Sequence, residues 1–266
     1  MFKQYYLALF LLVLISCNQA QPWEVINFME LGDITPIGLV RLDGDFWISD
    51  GDNNQIVQVA SDGTILKSLE GFERPMHLAE AKGKLYIPEY GADQITVLQD
   101  TSRSIYPVQE KLDAPAGVAV YEKELGLVDF YNHRVLFFNG TDWISFGQKG
   151  KEDGSFDYPT DLHISADKIY IADAYNHRVQ VFNKQGEHLL TFGEEEAMNA
   201  ATGLTVHDQR VFVTDFENDR ILIYNLDGQF IQSIDEVRKP TDVLFDQNKL
   251  YVAHFQDNAI GVYQQQ

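Results

Sequence analysis

The sequence predicts an all-β fold, a six-bladed β-propeller of four-stranded blades. Three observations carry the prediction. Six segments align with one another, starting at Pro36, Pro75, Pro115, Pro159, Ala201 and Pro240, at spacings of 39, 40, 44, 42 and 39 residues. Each holds short stretches of alternating apolar residues, enriched in β-branched and aromatic types, which suits strands rather than helices. The sixth segment stops one strand short, and a stretch of the missing pattern precedes the first. A repeat of this length with four strands is a propeller blade.

The fourth segment, PTDLHISADKIYIADAYNHRVQVFNKQGEHLLTFG, is the clearest copy. It predicts strand A over 161–165, B over 168–172, C over 178–183 and D over 188–192. The pairs Asp62-Gly63, Asn139-Gly140, Gln185-Gly186 and Asp227-Gly228 separate C from D, where hairpin turns need residues that accept positive φ. The last segment ends after its C strand at Val262-Tyr263. Residues 24–29, Glu-Val-Ile-Asn-Phe-Met, fit the D pattern and are predicted to complete the last blade and close the ring. Trp47, Tyr86, Tyr170, Phe212 and Tyr251 share one mid-strand position and are expected to form core between blades.

Upstream of the ring, residues 1–17 read MFKQYYLALFLLVLISC. One cation, Lys3, precedes an apolar run from Tyr5 to Ile15, too short to span a bilayer as a helix and of the length of a signal-peptide core. The run ends in Leu14-Ile15-Ser16-Cys17, which resembles the lipobox of bacterial lipoproteins, and Cys17 is the single cysteine of the chain. The resemblance implies a signal peptide over 1–16, a lipidated tether over 17–23 and the propeller over 24–266. It places the protein in the bacterial cell envelope, facing the periplasm or the surface. An ordinary secretory signal with an incidental cysteine is the plainer alternative.

Charge narrows the partners. The 266 residues carry 40 acids against 20 Lys+Arg, a formal charge of −20. Such a surface excludes a nucleic-acid binder, which needs a cationic face to displace counterions. It also disfavours electrostatic docking on anionic lipid. A single cysteine leaves no intramolecular disulfide and no Cys-rich metal site.

Asp173-Ala174-Tyr175-Asn176-His177-Arg178-Val179 and Asp129-Phe130-Tyr131-Asn132-His133-Arg134-Val135 resemble the Asn-His-Leu (NHL) repeat. Gly147-Gln148-Lys149-Gly150, with Asp153-Gly154-Ser155-Phe156 and Tyr158-Pro159, resembles the linker between its blades. The resemblance implies the fold and leaves the function open, since such propellers include lyases, lactonase-like enzymes, sensor domains and binding proteins.

Strand directions put the D-to-A links and B-to-C loops at one end of the ring, the top. Two residues after each repeat start stand Gly38, His77, Gly117, Asp161, Gly203 and Asp242. The three that are not glycine fall in alternate blades, a third of a turn apart. One imidazole and two carboxylates could hold calcium or zinc. The alternative is three polar groups solvated in a wide, water-filled channel. The NHL-type lyases hold zinc through histidines from alternate blades, and here only His77 of the three is a histidine. The motifs of the lactonase-like calcium propellers are absent.

Fourteen residues after each start stand Asp50, Glu89, Asp129, Asp173, Asp215 and His254. Arg134, Arg178 and Arg220 follow five residues after three of these acids, so the acids are expected to cap turns and pair with arginine. His133 and His177 belong to the repeat and are expected to be structural. His254 breaks the pattern and is expected to be functional. Phe130, Tyr131, Tyr175, Phe216 and Phe255 on the B-to-C loops suggest an aromatic rim that grips a ligand, with packing between blades as the alternative. No nucleophile or phosphate-binding motif stands out. The sequence therefore points to a monomeric, lipid-anchored propeller that binds a protein, peptide or glycan through its top face. The alternative is a metal-dependent hydrolase or lyase using His77, Asp161 and Asp242.

Overall fold

The computed structural model describes residues 21–266. Cys17 and residues 1–16, read above as a signal peptide, lie outside the described residues. Six four-stranded antiparallel sheets are arranged in sequence. In blades one to five the strands run A-B-C-D outward in chain order. Blade four is Pro159–Ile164, Lys168–Asp173, Arg178–Asn183 and His188–Phe192. Blade six is Pro240–Asp246, Lys249–His254 and Ala259–Gln265, and its fourth strand is Trp23–Glu30. That strand pairs antiparallel with the last one, from Trp23 opposite Gln265 to Glu30 opposite Ala259, with a register shift between Val25 and Asn27. The ring is closed by joining its two ends.

The core lies between blades, because a four-stranded sheet buries each face only against its neighbour. Phe46, Ile48 and Val57 of blade one pack with Tyr251, Ile260 and Val262 of blade six and with Met29 of the closing strand. Trp47, Tyr170, Phe212 and Tyr251 are buried and Tyr86 is partly so, each in such a cluster. In the worn second blade the inner strand shrinks to Ala79–Ala81.

A repeated polar device ties each blade to the next. Asn54, Asp93, His133, His177, Asp219 and Asn258 occupy one repeat position, and all six are left-handed, with φ between 49° and 56°. Asn, Asp and His tolerate this region better than other residues with a Cβ. Four side chains besides the histidines' share a task there: Asn54 accepts from Arg74 N (2.8 Å), Asp93 from Ala114 N (2.8 Å), Asp219 from Lys239 N (2.9 Å) and Asn258 from the Thr35 hydroxyl (3.5 Å). The histidines do the same through Nδ1, His133 for Tyr158 N and His177 for Ala200 N, both at 3.1 Å. The histidine of the repeat is thus an acceptor that caps the entry to the next blade.

The acids of the neighbouring position are structural too. Asp129, Asp173 and Asp215 each take the Nε of the arginine five residues on, at 2.7–2.9 Å. Their other oxygens accept from Asp113 N, Asp157 N and Asn199 N of the incoming link.

Candidate functional site

Two places gather the residues singled out by the sequence. The first is the axis. His77, Asp161 and Asp242 converge there, and one ligand atom from each lies within 4.8 Å of the others. They are 3%, 6% and 6% exposed, so the channel is shut at this level rather than wide and solvated. The alternation with glycine has a steric cause. A Cβ on Gly38 would stand 2.8 Å from the Cα of His77, one on Gly117 3.0 Å from that of Asp161, and one on Gly203 2.9 Å from that of Asp242. Six inner strands leave room for three side chains.

The carboxylates also reach across blades. Asp242 accepts from Leu39 N of blade one at 2.7 Å and from Val243 N at 2.7 Å. Asp161 accepts from Leu204 N of blade five at 2.9 Å. His77 Nδ1 is buried without a hydrogen-bond partner, 3.8 Å from Asp242 Oδ2 and so beyond hydrogen-bond reach. Burial works against charge on His77, yet Asp161 and Asp242 outweigh it and raise its pKa. Burial pushes the Asp161 carboxyl up to about 7, against the pull of His77. Such a set can hold one extra proton or one cation.

The second place is the top face over blades two to four. Tyr90, Phe130, Tyr131, Tyr158 and Tyr175 form one ridge, with centroid steps of 5.7 Å from Tyr90 to Tyr131, 5.9 Å to Tyr158 and 5.0 Å to Tyr175. Phe130 fills the middle, 4.8 Å from Tyr158. Arg74 lies over the Tyr90 ring at 4.9 Å and Lys149 over Tyr158 at 5.6 Å. Burial, helped by the neighbouring Tyr131, raises the pKa of the Tyr90 hydroxyl. Tyr131 and Tyr175 remain 48% and 61% exposed. Phe130 is half-buried beneath them.

Phe216 and Phe255 stand apart from this ridge, both half-buried, 6.2 Å from each other, with Lys239 over Phe216. His254 belongs to neither place. It is 1% exposed, bonds the Tyr263 hydroxyl through Nε2 at 3.0 Å and is covered by Phe28 at 4.7 Å. Its expected place on the top surface is corrected by this burial, which also depresses its pKa to about 4. Sequence reasoning missed Tyr158 as the hub of the ridge. The signal was available: the residue before each repeat start shares the top face, and in blade four it is aromatic.

The NHL repeat family model matches residues 156–182. No curated protein sequence matches the chain. Among solved structures, a gluconolactonase from Xanthomonas campestris aligns with a TM-score of 0.74 at 14% identity, covering 94% of this chain and 96% of that one. A virginiamycin B lyase from Staphylococcus aureus aligns at 0.68 and 14%, covering 91% and 99%. A protein of unknown function from Bacteroides thetaiotaomicron aligns at 0.70 and 16%, covering 92% and 76%. At these identities the likeness is one of fold. With six four-stranded blades closed into a ring, the chain is a six-bladed β-propeller that carries a sequence matching the NHL repeat at residues 156–182.

Proposed function

We propose that the protein is a monomeric binding propeller, held at a bacterial envelope membrane by lipid on Cys17, that takes a protein, peptide or glycan on its aromatic ridge. The observation that carries the reading is the pair of exposed rings, Tyr131 and Tyr175, seated on a packed aromatic base. Rigid aromatic side chains supply contact area at low entropic cost and concentrate binding energy. The test is a peptide and glycan array probed with the parent and with a Tyr131→Ala, Tyr175→Ala double variant. Binding lost by the variant at unchanged melting temperature supports the reading. Equal binding by both overturns it. Cys17→Ser should release the protein from the membrane fraction, since the acyl chains and no protein helix would hold it there.

A second reading, a divalent-metal site on the axis serving a hydrolase or lyase, is favoured by the orphaned His77 Nδ1 beside two carboxylates. An imidazole in the set suits zinc better than calcium, which prefers oxygen ligands throughout. A thermal melt with and without zinc tests it: a rise that Asp161→Ala abolishes supports the site, and no rise in the parent removes it.

A further inference from the structure

The exposed apolar side chains of the ring are not spread evenly. Among the described residues, five of the ten exposed large hydrophobics, Val25, Ile26, Phe28, Ile65 and Leu66, sit on the outermost strands of blades six and one. These two blades are neighbours, so the five share one sector of the perimeter. Ile105, Leu189 and Phe230 stand singly on the outer strands of blades two, four and five, Phe230 against Tyr224 on the side that faces blade four. Contact continues between blades six and one, where Gly63 of the blade-one turn approaches the Met29 side chain of the closing strand. Single exposed apolar residues need no explanation, whereas a cluster on one sector marks something that covers it.

The chain itself says what lies closest. The closing strand is preceded by Gln21 and Pro22, and both are tied down: the Gln265 side chain donates to Gln21 O at 2.8 Å and Gln266 N to Pro22 O at 3.1 Å. Only Asn18, Gln19 and Ala20 separate Gln21 from Cys17. Four residues of chain reach roughly 15 Å at full stretch. A lipid on Cys17 therefore keeps the blade-six perimeter within roughly 15 Å of the bilayer surface.

We propose that the outer strands of blades six and one form a membrane-resting face, with Val25, Ile26 and Leu66 touching the lipid interface and the ring standing edge-on. The proposal rests on the lipid anchor read at Cys17. The acids Glu24 and Glu30 on the closing strand and the net charge of −20 make the contact apolar rather than electrostatic. Blade three stands opposite blade six in a ring of six. The aromatic ridge over blades two to four therefore lies on the side away from the membrane, open to a ligand.

The test uses the full lipidated chain in phosphatidylcholine vesicles containing brominated lipid. A fluorophore is attached at Ile26→Cys or, in separate preparations, at Leu66→Cys and at Ser145→Cys on the outer strand of blade three. Cys17 is the chain's only native cysteine and is blocked once acylated. Labels at 26 and 66 are expected to be quenched several-fold more than the label at 145. Equal quenching at all three positions, or none at 26 and 66 with Cys17 shown by mass spectrometry to be acylated, overturns the membrane-resting face and leaves the anchor standing. An unmodified Cys17 overturns both.

Discussion

Replacing His177 separates the two jobs assigned to the repeat's histidine. Its Nδ1 accepts from Ala200 N at 3.1 Å, and its backbone sits at φ 56°. The side chain is exposed, so little packing is at stake. Losing the acceptor costs about 0.5–1.5 kcal/mol. Placing alanine in the left-handed region costs about 1 kcal/mol more. His177→Ala should therefore destabilise by about 2 kcal/mol, a fall in Tm of about 4–8 °C for a chain of this size. His177→Asn should stay within about 0.5 kcal/mol of the parent, because asparagine does both jobs at Asn54. His177→Gly relieves the backbone but not the orphaned N–H, and should fall between the two. Urea and thermal melts of the four chains, with the slope m checked for constancy, measure the series. An alanine variant as stable as the parent, or an asparagine variant as weak as alanine, would refute the capping argument.

Three further expectations follow from the ring. A chain starting at Thr35 lacks the closing strand, leaves Ala259–Gln265 as an open edge, and should aggregate or lose cooperative unfolding; a melt like that of the longer chain would refute closure. Gly203→Ala drives a Cβ to 2.5 Å from Thr241 O, a backbone atom that cannot step aside, and should cost about 1–3 kcal/mol or more; an unchanged melting temperature would show the axis to be looser than drawn. His254, with its pKa lowered to about 4, binds a proton in the unfolded chain before it does so in the folded one. Stability should be fully present above about pH 6.5 and fall by about 3 kcal/mol as pH drops from there to about 4. Burial lowers the pKa of His163 to about 4 as well, so a His254→Gln chain should keep the share of the slope due to His163 and lose its own; one with the parent's full slope would refute the assignment to His254.

What the sequence makes legible is whatever repeats. In blade four the C and D strands begin and end where the alternation places them; strand A runs Pro159–Ile164 instead of 161–165, with a bridge from Pro159 to Asp173 before the register shift, and strand B runs one residue further, to Asp173. The alternation of glycine with His77, Asp161 and Asp242 is visible as a pattern. Its closeness is not, because the axis radius is set by the tilt of all six sheets together. The burial of His254 is hidden for a related reason: its cover, Phe28, arrives from the opposite end of the chain. Tyr158 looks like linker until its neighbours Phe130, Tyr131 and Tyr175 surround it.

The pairing of first strand with last has a consequence during biosynthesis. Gln21 meets Gln265 across 244 residues of sequence. At about 5–20 residues per second, roughly 10–50 s pass between the emergence of the two partners. Throughout that interval the stretch Trp23–Glu30, with Val25, Ile26 and Phe28, has no sheet to join. A nascent chain in this state exposes a sticky β-segment at one end and unfinished blades at the other. That exposure ends only when Ala259–Gln265 is made and can pair with it.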